Sequence, residues 1–368
     1  MNYSPPTHGI PADYFKLPLE EIHRRGTEAK KKLGDDLLIL AHHYQQDSTY
    51  WFSDVSGDSL FLARQASKTP AKFIIFCGVH FMAESSDIIT NDDQITLLPD
   101  LSAGCPMADM ADVKDVEKCW EVLTGACGAN SFIPITYINS TAEIKAFCAK
   151  NGGAVCTSSN SHKILRWALD QKKRVLFVPD QHLGRNTAKA LGIPAKEIGL
   201  WDRFDPQGNL TRNEMRNSKI ILWSGYCPVH CNFTVSEINE LRSKNPGIKV
   251  IVHPECPEEI VNLADMSGST DKIIEAISES EPKTKWAVGT EANLVRRIAK
   301  KMYQEQKKEV QSINADVCVC STMNNIHPAH VLWIMENLLK GIIINQVTVP
   351  AETKRFAELA LDRMLDLS

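Results

Sequence analysis

Eleven cysteines in a chain of 368 residues are the first group of side chains that could carry chemistry. Several follow apolar runs in short loops, and these are Cys105 in SAGCPM, Cys227 in GYCPVHC, and Cys318 or Cys320 in CVCSTMNN. Three thiolates from separate parts of a fold could hold an iron–sulfur cluster with one iron open to a ligand. They could also hold a catalytic zinc ion with an open position. Spacing alone leaves both possibilities open, together with the simpler interpretation of inert buried thiols.

Polar side chains two residues apart form a second group, and they recur at equivalent positions in three segments. The pairs are His42 with Tyr44, Tyr137 with Asn139, and His253 with Glu255. Because side chains alternate along a strand, both members of each pair face the same side. Histidine, tyrosine and glutamate are residue types that transfer protons in catalysis.

A hydroxyl residue follows each pair, close to the predicted start of a helix, and these residues are Ser59, Ser158 and Thr270. The start of a helix offers unpaired N–H groups and the positive end of its dipole, which bind carboxylates and phosphates. Taken singly, such a hydroxyl is often only a helix N-cap. Their similar spacing in three segments favours a binding site for a small anion with several negative charges.

The elements that would position these residues form a weak threefold repeat. Each segment has an apolar strand, a hydroxyl-rich turn that opens a helix, and a second strand with its own helix. Each then closes with an apolar strand that runs into a cysteine loop, in QITLLPDLSAGCP, SKIILWSGYCPVHC and NADVCVCSTMNN. This alternation predicts an α/β protein of three similar small three-layer αβα domains with parallel sheets. Ligands bind beyond the carboxyl ends of such strands, where the paired residues lie.

The repeat also predicts where the domains begin and end. We expect an N-terminal arm and helix at 1–33, α/β domains at 34–115, 116–235 and 236–340, and a C-terminal strand (IIINQVTV) and helix at 341–368. The stretches VEKCWEVLTGACGANS and DRFDPQGNLTRNEMRN do not fit the repeat, and we interpret them as inserts at domain edges.

Composition excludes several classes of function. The net charge of −4 argues against a nucleic-acid-binding protein, which needs a basic face. The sequence contains no apolar run of the roughly 18 residues that a membrane span requires, and its first residues lack the apolar region of a secretory signal. We therefore expect a cytoplasmic protein, in which a disulfide framework is not expected.

Ten short motifs, in this order, resemble those of the quinolinate synthase family. They are AHHYQ with SGDSL, GVHFMAE, GCPMAD, YINS, CTSSN, PDQHLGR, GYCPVH, HPE, GST and a late C-x-x-M-N, and they extend from about residue 38 to residue 325. The resemblance implies three similar domains around a pseudo-threefold axis, with the active site at their junction. It also implies a [4Fe–4S] cluster with one open iron, held by Cys105, Cys227 and Cys320. The neighbours Cys318 and Cys231 leave some ambiguity in this ligand set.

The family's reaction is implied in the same way. A transferase of this kind condenses iminoaspartate with dihydroxyacetone phosphate to quinolinate, with loss of phosphate and water, in NAD biosynthesis. The residues expected to contact substrates are His42, Tyr44, Ser59, Tyr137, Asn139, Ser158, His230, His253, Glu255 and Thr270. His230 enters from the resemblance alone. Glu255 is expected to be the general acid/base, with a pKa raised by a closed site, and Tyr44 with His42 to move protons on the triose phosphate.

Two other functions are compatible with the residues. One is an iron–sulfur hydro-lyase of another small diacid, which would share the open iron. The other is a zinc-stabilised protein that binds a small anion and catalyses nothing. Since iminoaspartate is unstable in water, functional coupling to an aspartate-oxidising enzyme is a further expectation.

Overall fold

This computed structural model describes residues 9–171, 173–314 and 318–367. These residues contain three parallel sheets. The strands are β1 (Leu37–His42), β2 (Val55–Gly57), β3 (Phe73–Cys77), β4 (Ile95–Leu97), β5 (Phe132–Tyr137), β6 (Ala154–Cys156), β7 (Arg174–Val178), β8 (Ile198–Trp201), β9 (Ile220–Trp223), β10 (Lys249–Val252), β11 (Met266–Ser267), β12 (Lys285–Gly289) and β13 (Glu309–Ser312). The strand orders are β2-β1-β3-β4, β6-β5-β7-β9-β8 and β11-β10-β12-β13. The predicted α/β fold with parallel sheets is therefore confirmed.

Helices connect the strands and flank the sheets. They are α1 (Leu19–Leu33), α2 (Asp47–Tyr50), α3 (Ser59–Ala66), α4 (His80–Ile89), α5 (Pro106–Asp109), α6 (Val113–Cys127), α7 (Ala142–Lys150), α8 (Ser161–Asp170), α9 (Gln181–Ala190), α10 (Arg212–Asn217), α11 (Val235–Lys244), α12 (Glu258–Leu263), α13 (Thr270–Glu279), α14 (Ala292–Gln306), α15 (Ser321–Asn324), α16 (Pro328–Leu338) and α17 (Ala351–Asp366). Short 3₁₀ turns occur at Ala12–Lys16, Gly34–Asp36, Ala195–Glu197 and His230–Asn232.

Continuous apolar runs explain the central strands. All six residues of β5, whose sequence is FIPITY, are buried, and so are all four residues of β9. A parallel sheet is covered by helices on both faces, so its inner strands carry apolar side chains in both directions. In the middle sheet, β5 and β7 pair in parallel from Phe132 opposite Arg174 to Thr136 opposite Val178.

Several predicted elements differ from the structure. The short edge strands β2, β6 and β11 were not predicted, because runs of two or three residues give no recognisable period. The edge strand β8 was also missed. The third cysteine loop was expected to follow a strand in NADVCVC, but the last strand of that sheet is β13, which ends at Ser312, and residues 315–317 lie outside the described part of the chain.

The elements at the two ends of the chain also differ in part from those predicted. Within the described residues, the predicted strand IIINQVTV forms a single antiparallel bridge, between Gln346 and Leu97, and the amide of Val347 donates to the carbonyl of Thr96 at 3.0 Å. The helix that follows is α17, as predicted. The expected N-terminal arm includes residues 1–8, which are not described, and a 3₁₀ turn at Ala12–Lys16.

The chain packs as two compact units. One comprises Met1–Cys105 with Val319–Val349 and contains the first sheet, and the other comprises Pro106–Cys318 with Pro350–Ser368 and contains the other two. Within the second unit, α17 packs against α7. Each sheet falls inside one of the three predicted domain ranges, whose boundaries stay a prediction.

Candidate active site

The same strand pairing positions the predicted site residues in all three sheets. At the carboxyl end of each sheet, His42 lies opposite Gly57, Tyr137 opposite Cys156, and Val252 opposite Ser267. The chain leaves each short strand and reaches a hydroxyl two or three residues later, and these hydroxyls are Ser59, Ser158 and Thr270. The pairs and hydroxyls recognised in the sequence are therefore adjacent within each sheet because a short parallel strand links them.

In the first unit, His42 and Tyr44 form a compact pair. Their ring centroids are 4.6 Å apart with the planes nearly perpendicular, and the amide of Tyr44 donates to Nδ1 of His42 at 3.2 Å. This bond makes Nδ1 the acceptor, so a neutral His42 carries its proton on Nε2. Ser59 is the first residue of α3, whose N-cap is Asp58 through a bond from the amide of Phe61. The hydroxyl of Ser59 is thus not needed as the cap.

In the second unit, Glu255 and His230 form a buried pair beside a cysteine. An Oε2 atom of Glu255 lies 2.9 Å from Nδ1 of His230, and both side chains are at most 3% exposed. The same Nδ1 lies 3.2 Å from Sγ of Cys227. One ligand atom from each of these three residues lies within 4.8 Å of the others, an arrangement that could hold a metal ion.

Further contacts fix the orientation of this group. Nε2 of His230 lies 3.1 Å from the hydroxyl of Thr290, and the ring of His253 stacks on that of His230 with centroids 4.6 Å apart. The hydroxyl of Tyr137 donates a hydrogen bond to Glu255. Residues from β5, from the loop after β9 and from the third sheet therefore converge on one carboxylate.

The surroundings of Glu255 overturn one expectation about its charge. Burial would raise its pKa, but the charges of His230 and His253, together with hydrogen bonds from His230 and Tyr137, outweigh burial and lower the pKa to about 2. The predicted raised pKa is therefore wrong, because the sequence could not show how many donors meet this oxygen pair. For His253, burial is the largest influence and lowers the pKa to about 3.

Two residues of this region were missed in the sequence. Asp180 is completely buried, and its Oδ2 atom has no hydrogen-bond partner among the described residues. Burial and the charge of Glu255 raise its pKa well above the usual value. Thr290, the partner of His230, was the second. The sequence did contain a signal for Asp180. An acidic residue follows the third strand in two of the repeats, Asp180 after β7 and Glu291 after β12, and each of these acids caps the next helix.

Ser158 and the start of α13 line one cleft of about 590 Å³ in the second unit. Its lining includes Ser158, Gly268, Ser269 and Lys272. Thr270 is the first residue of α13, whose N-cap is Ser269. Ser158, in contrast, precedes α8 by three residues, so it lies in the turn and not at the helix start.

Asn139 also presents an unused acceptor in the second unit. Its Oδ1 atom is buried and has no hydrogen-bond partner among the residues described. Asn139 lies two residues beyond the end of β5, as the alternation of side chains predicted.

The cysteines differ in accessibility. Cys105, Cys227 and Cys320 are partly exposed, as are Cys127 and Cys231, whereas Cys318 is buried. Burial raises the pKa of Cys318 to about 12. Burial and the nearby acids Asp180, Glu255 and Glu259 raise that of Cys231 to about 12 as well. Without a bound metal, both neighbours of the predicted ligands therefore favour the protonated thiol.

Comparison with known proteins decides the family. The family described as Quinolinate synthetase A protein matches residues 25–366. The chain belongs to this family. A quinolinate synthase of Streptomyces coelicolor is 50% identical over 349 residues, which cover 94% of this chain and 88% of the relative. One from Anoxybacillus flavithermus is 49% identical over 97% of this chain and 96% of its own.

A third relative extends the match over nearly the whole chain. The quinolinate synthase of Corynebacterium glutamicum is 47% identical over 99% of this chain and 92% of its own length. The resemblance stated from the motifs is thereby confirmed, and the chain is an enzyme of the quinolinate synthase family. Among the helices of the described residues, none has the length and apolar character to cross a membrane.

Proposed function

We propose that this enzyme condenses iminoaspartate with dihydroxyacetone phosphate to quinolinate, a transferase reaction of NAD biosynthesis. The observation that carries the proposal is the buried pair of Glu255 and His230, 2.9 Å apart and next to Cys227. Such a pair can hold and move protons while the adjacent sulfur binds a metal centre. The net reaction loses phosphate and water without oxidation, so it needs acid–base and Lewis-acid chemistry only.

The cofactor in this proposal is a [4Fe–4S] cluster with three cysteine ligands and one open iron. Cys105, Cys227 and Cys320 fit this group, because each is partly exposed and lies in a loop that follows a strand or a sheet. When bound, the cluster would supply an open iron that acts as a Lewis acid toward a substrate oxygen or nitrogen. We also infer a cytoplasmic location, since the described cysteines form no disulfide and such a cluster needs a reducing compartment.

Side chains and helix ends of the chain bind and orient the two substrates in this proposal. Ser59, Ser158 and Thr270 bind carboxylate or phosphate oxygens with their hydroxyls. Tyr137, Asn139 and His253 orient the substrates, and the unpartnered Oδ1 of Asn139 suits a substrate N–H or O–H donor. Two positively polarised helix starts, at α3 and α13, favour the negative charges of both substrates.

Proton transfer is assigned to two pairs. Glu255 enters the reaction as a carboxylate because its pKa is about 2, so its first act is to accept a proton rather than to donate one. His230, held between Glu255 and Thr290, orients this carboxylate through the contact at Nδ1. His42 and Tyr44 transfer protons between the first two carbons of the triose phosphate. Supply of iminoaspartate by an aspartate-oxidising enzyme completes the proposed pathway.

Substrate tests separate this proposal from its two rivals. Protein purified without air is given iminoaspartate and dihydroxyacetone phosphate together, each alone, and a series of hydroxy-diacids. We expect quinolinate only when both substrates are present. Dehydration of a hydroxy-diacid without quinolinate would favour the hydro-lyase, and bound zinc with no turnover would favour the anion-binding protein.

A further inference from the structure

The motif PDQHLGRN contains a residue that reaches the turn carrying Glu255. Asp180 caps α9, since its Oδ1 accepts the amides of His182 and Leu183 at 2.7 and 2.8 Å. Further along that helix, Nδ2 of Asn186 lies 2.9 Å from the carbonyl oxygen of Pro254. The same nitrogen lies 2.9 Å from the carbonyl oxygen of Cys256. These two carbonyls belong to the residues on either side of Glu255.

Only one orientation of the Asn186 side-chain amide satisfies this contact. Both partners are carbonyl acceptors, so the amide nitrogen must face them, and each of its two hydrogens serves one carbonyl. Both distances are those of well-formed N–H···O bonds. Asn186 therefore fixes the backbone before and after Glu255 from a helix that belongs to the preceding sheet.

Other bonds within the turn hold its ends but scarcely hold Glu255 itself. The amide of His253 donates to Gly289 at 3.0 Å, and the amide of Cys256 donates to His253 at 3.0 Å. The amide of Glu255 has a longer bond, 3.4 Å, to Nδ1 of His253. The side chain of Glu255 contacts His230 and Tyr137, and the two bonds from Asn186 join the backbone on either side of Glu255 to a helix of the preceding sheet.

We propose that Asn186 is a positioning residue for catalysis, which holds the carboxylate of Glu255 against His230 and Tyr137. This inference rests on the catalytic role proposed above for Glu255. A displacement of about 1 Å at a reacting group can cost about a hundredfold in rate. The turn needs such an anchor, because Glu255 must meet His230 at 2.9 Å with little freedom to adjust inside a buried site.

The neighbouring ion pair provides a matched control. Lys189 lies on the same helix and pairs with Glu258 at 2.5 Å, joining α9 to α12 without touching the residues that flank Glu255. Both side chains of this pair, Lys189 and Glu258, are more than a third exposed. Lys189→Ala therefore removes a contact of the same helix, α9, with the adjacent α12 and leaves the bonds from Asn186 to the turn intact.

The test compares Asn186→Asp, Asn186→Ala and Lys189→Ala in the cluster-loaded enzyme. Asn186→Asp keeps the size of the side chain but removes both N–H donors, and a carboxyl group can offer at most one hydrogen to the two carbonyls. We expect both Asn186 variants to lower kcat at least about tenfold with KM changed less than about threefold. Iron content and the thermal unfolding midpoint should stay close to wild type, and Lys189→Ala should keep kcat within about twofold of wild type.

Hydrogen exchange tests whether Asn186 holds the turn around Glu255, and this measurement does not require catalytic turnover. Amides in the peptide covering residues 253–257 should exchange faster in both Asn186 variants than in Lys189→Ala. Unchanged protection there, or wild-type kcat in Asn186→Asp, overturns the proposal. If the wild type itself makes no quinolinate, the proposed function fails, while the exchange result still decides whether Asn186 holds the turn.

Discussion

The carboxylate of Glu255 lies 2.9 Å from Nδ1 of His230, and the two side chains are almost fully buried. These residues come from different sheets of the second unit, the loop after β9 and the turn after β10. Burial would raise the pKa of Glu255, as predicted from the sequence, but the charges of His230 and His253 and hydrogen bonds from His230 and Tyr137 lower it. A carboxylate at this position accepts a proton before it can donate one.

Glu255→Gln should lower kcat about a hundredfold or more, because the amide cannot accept a proton and loses the charge that orients His230. Quinolinate formation under anaerobic conditions measures this effect. Glu259→Gln, an exposed glutamate on α12, is the matched control and should retain wild-type turnover. Full activity in Glu255→Gln would refute the acid–base assignment.

His253 should make the fold less stable as the pH falls. Its folded pKa of about 3 lies below the ordinary value of 6.5, so the unfolded chain takes up the proton first. The stability contributed by neutral His253 is therefore complete above pH 6.5 and is lost as the pH falls toward 3. Glu255 acts in the same direction at lower pH, since its folded pKa of about 2 lies below the usual 4.5.

A variant of His253 separates its contribution to the pH dependence of stability from the contributions of other titrating groups. Asp180 has the opposite sign, because its raised folded pKa stabilises the fold at low pH and that contribution is lost as the pH rises. We expect the unfolding midpoint to fall between about pH 7.5 and about pH 5 in the wild type, and to fall less in His253→Gln. An equal fall in both proteins would show that His253 does not titrate as described.

Ser158→Ala should weaken substrate binding. A hydrogen bond to a charged group contributes about 1.5–3 kcal/mol, which corresponds to an increase in KM of about tenfold or more. Ser159→Ala is the control, since Ser159 lines the same cleft and is exposed. Equal KM values for the two variants would remove Ser158 from the binding site.

The two cysteines of the CVC sequence should behave differently. Cys320 is partly exposed and Cys318 is buried, with a pKa of about 12. Cys320→Ala should therefore lose its iron, and Cys318→Ala should retain it, as judged by iron and sulfide analysis of protein purified without air. The reverse pattern would transfer the ligand role to Cys318.

The sequence was sufficient where a long apolar run or a repeated spacing carried the information. The buried strands β5 and β9 and the pairs His42 with Tyr44 and Tyr137 with Asn139 were found in this way. Strands of two or three residues, such as β11, have too few side chains to show a period. The pairing of these short strands with longer ones nevertheless positions Ser59, Ser158 and Thr270 at the carboxyl ends of the sheets.

Electrostatics and long-range contacts lay beyond sequence reasoning. The pKa of Glu255 depends on His230, His253 and Tyr137, which are far apart in the chain and meet only in the fold. Asn186 was hidden for the same reason, because its partners lie 68 and 70 residues away. His230 itself has no strand or helix period and was found through the family resemblance alone.

Quinolinate formation by protein purified without air is the most direct test of the central claim. Wild type and Cys105→Ala, Cys227→Ala and Cys320→Ala are assayed with fresh iminoaspartate and dihydroxyacetone phosphate, and iron and sulfide are counted in each. We predict product and a full cluster in the wild type, with both lost in the three variants and activity lost from wild type after exposure to air. A wild type that carries zinc in place of iron, or that carries its cluster and makes no quinolinate, would contradict the account.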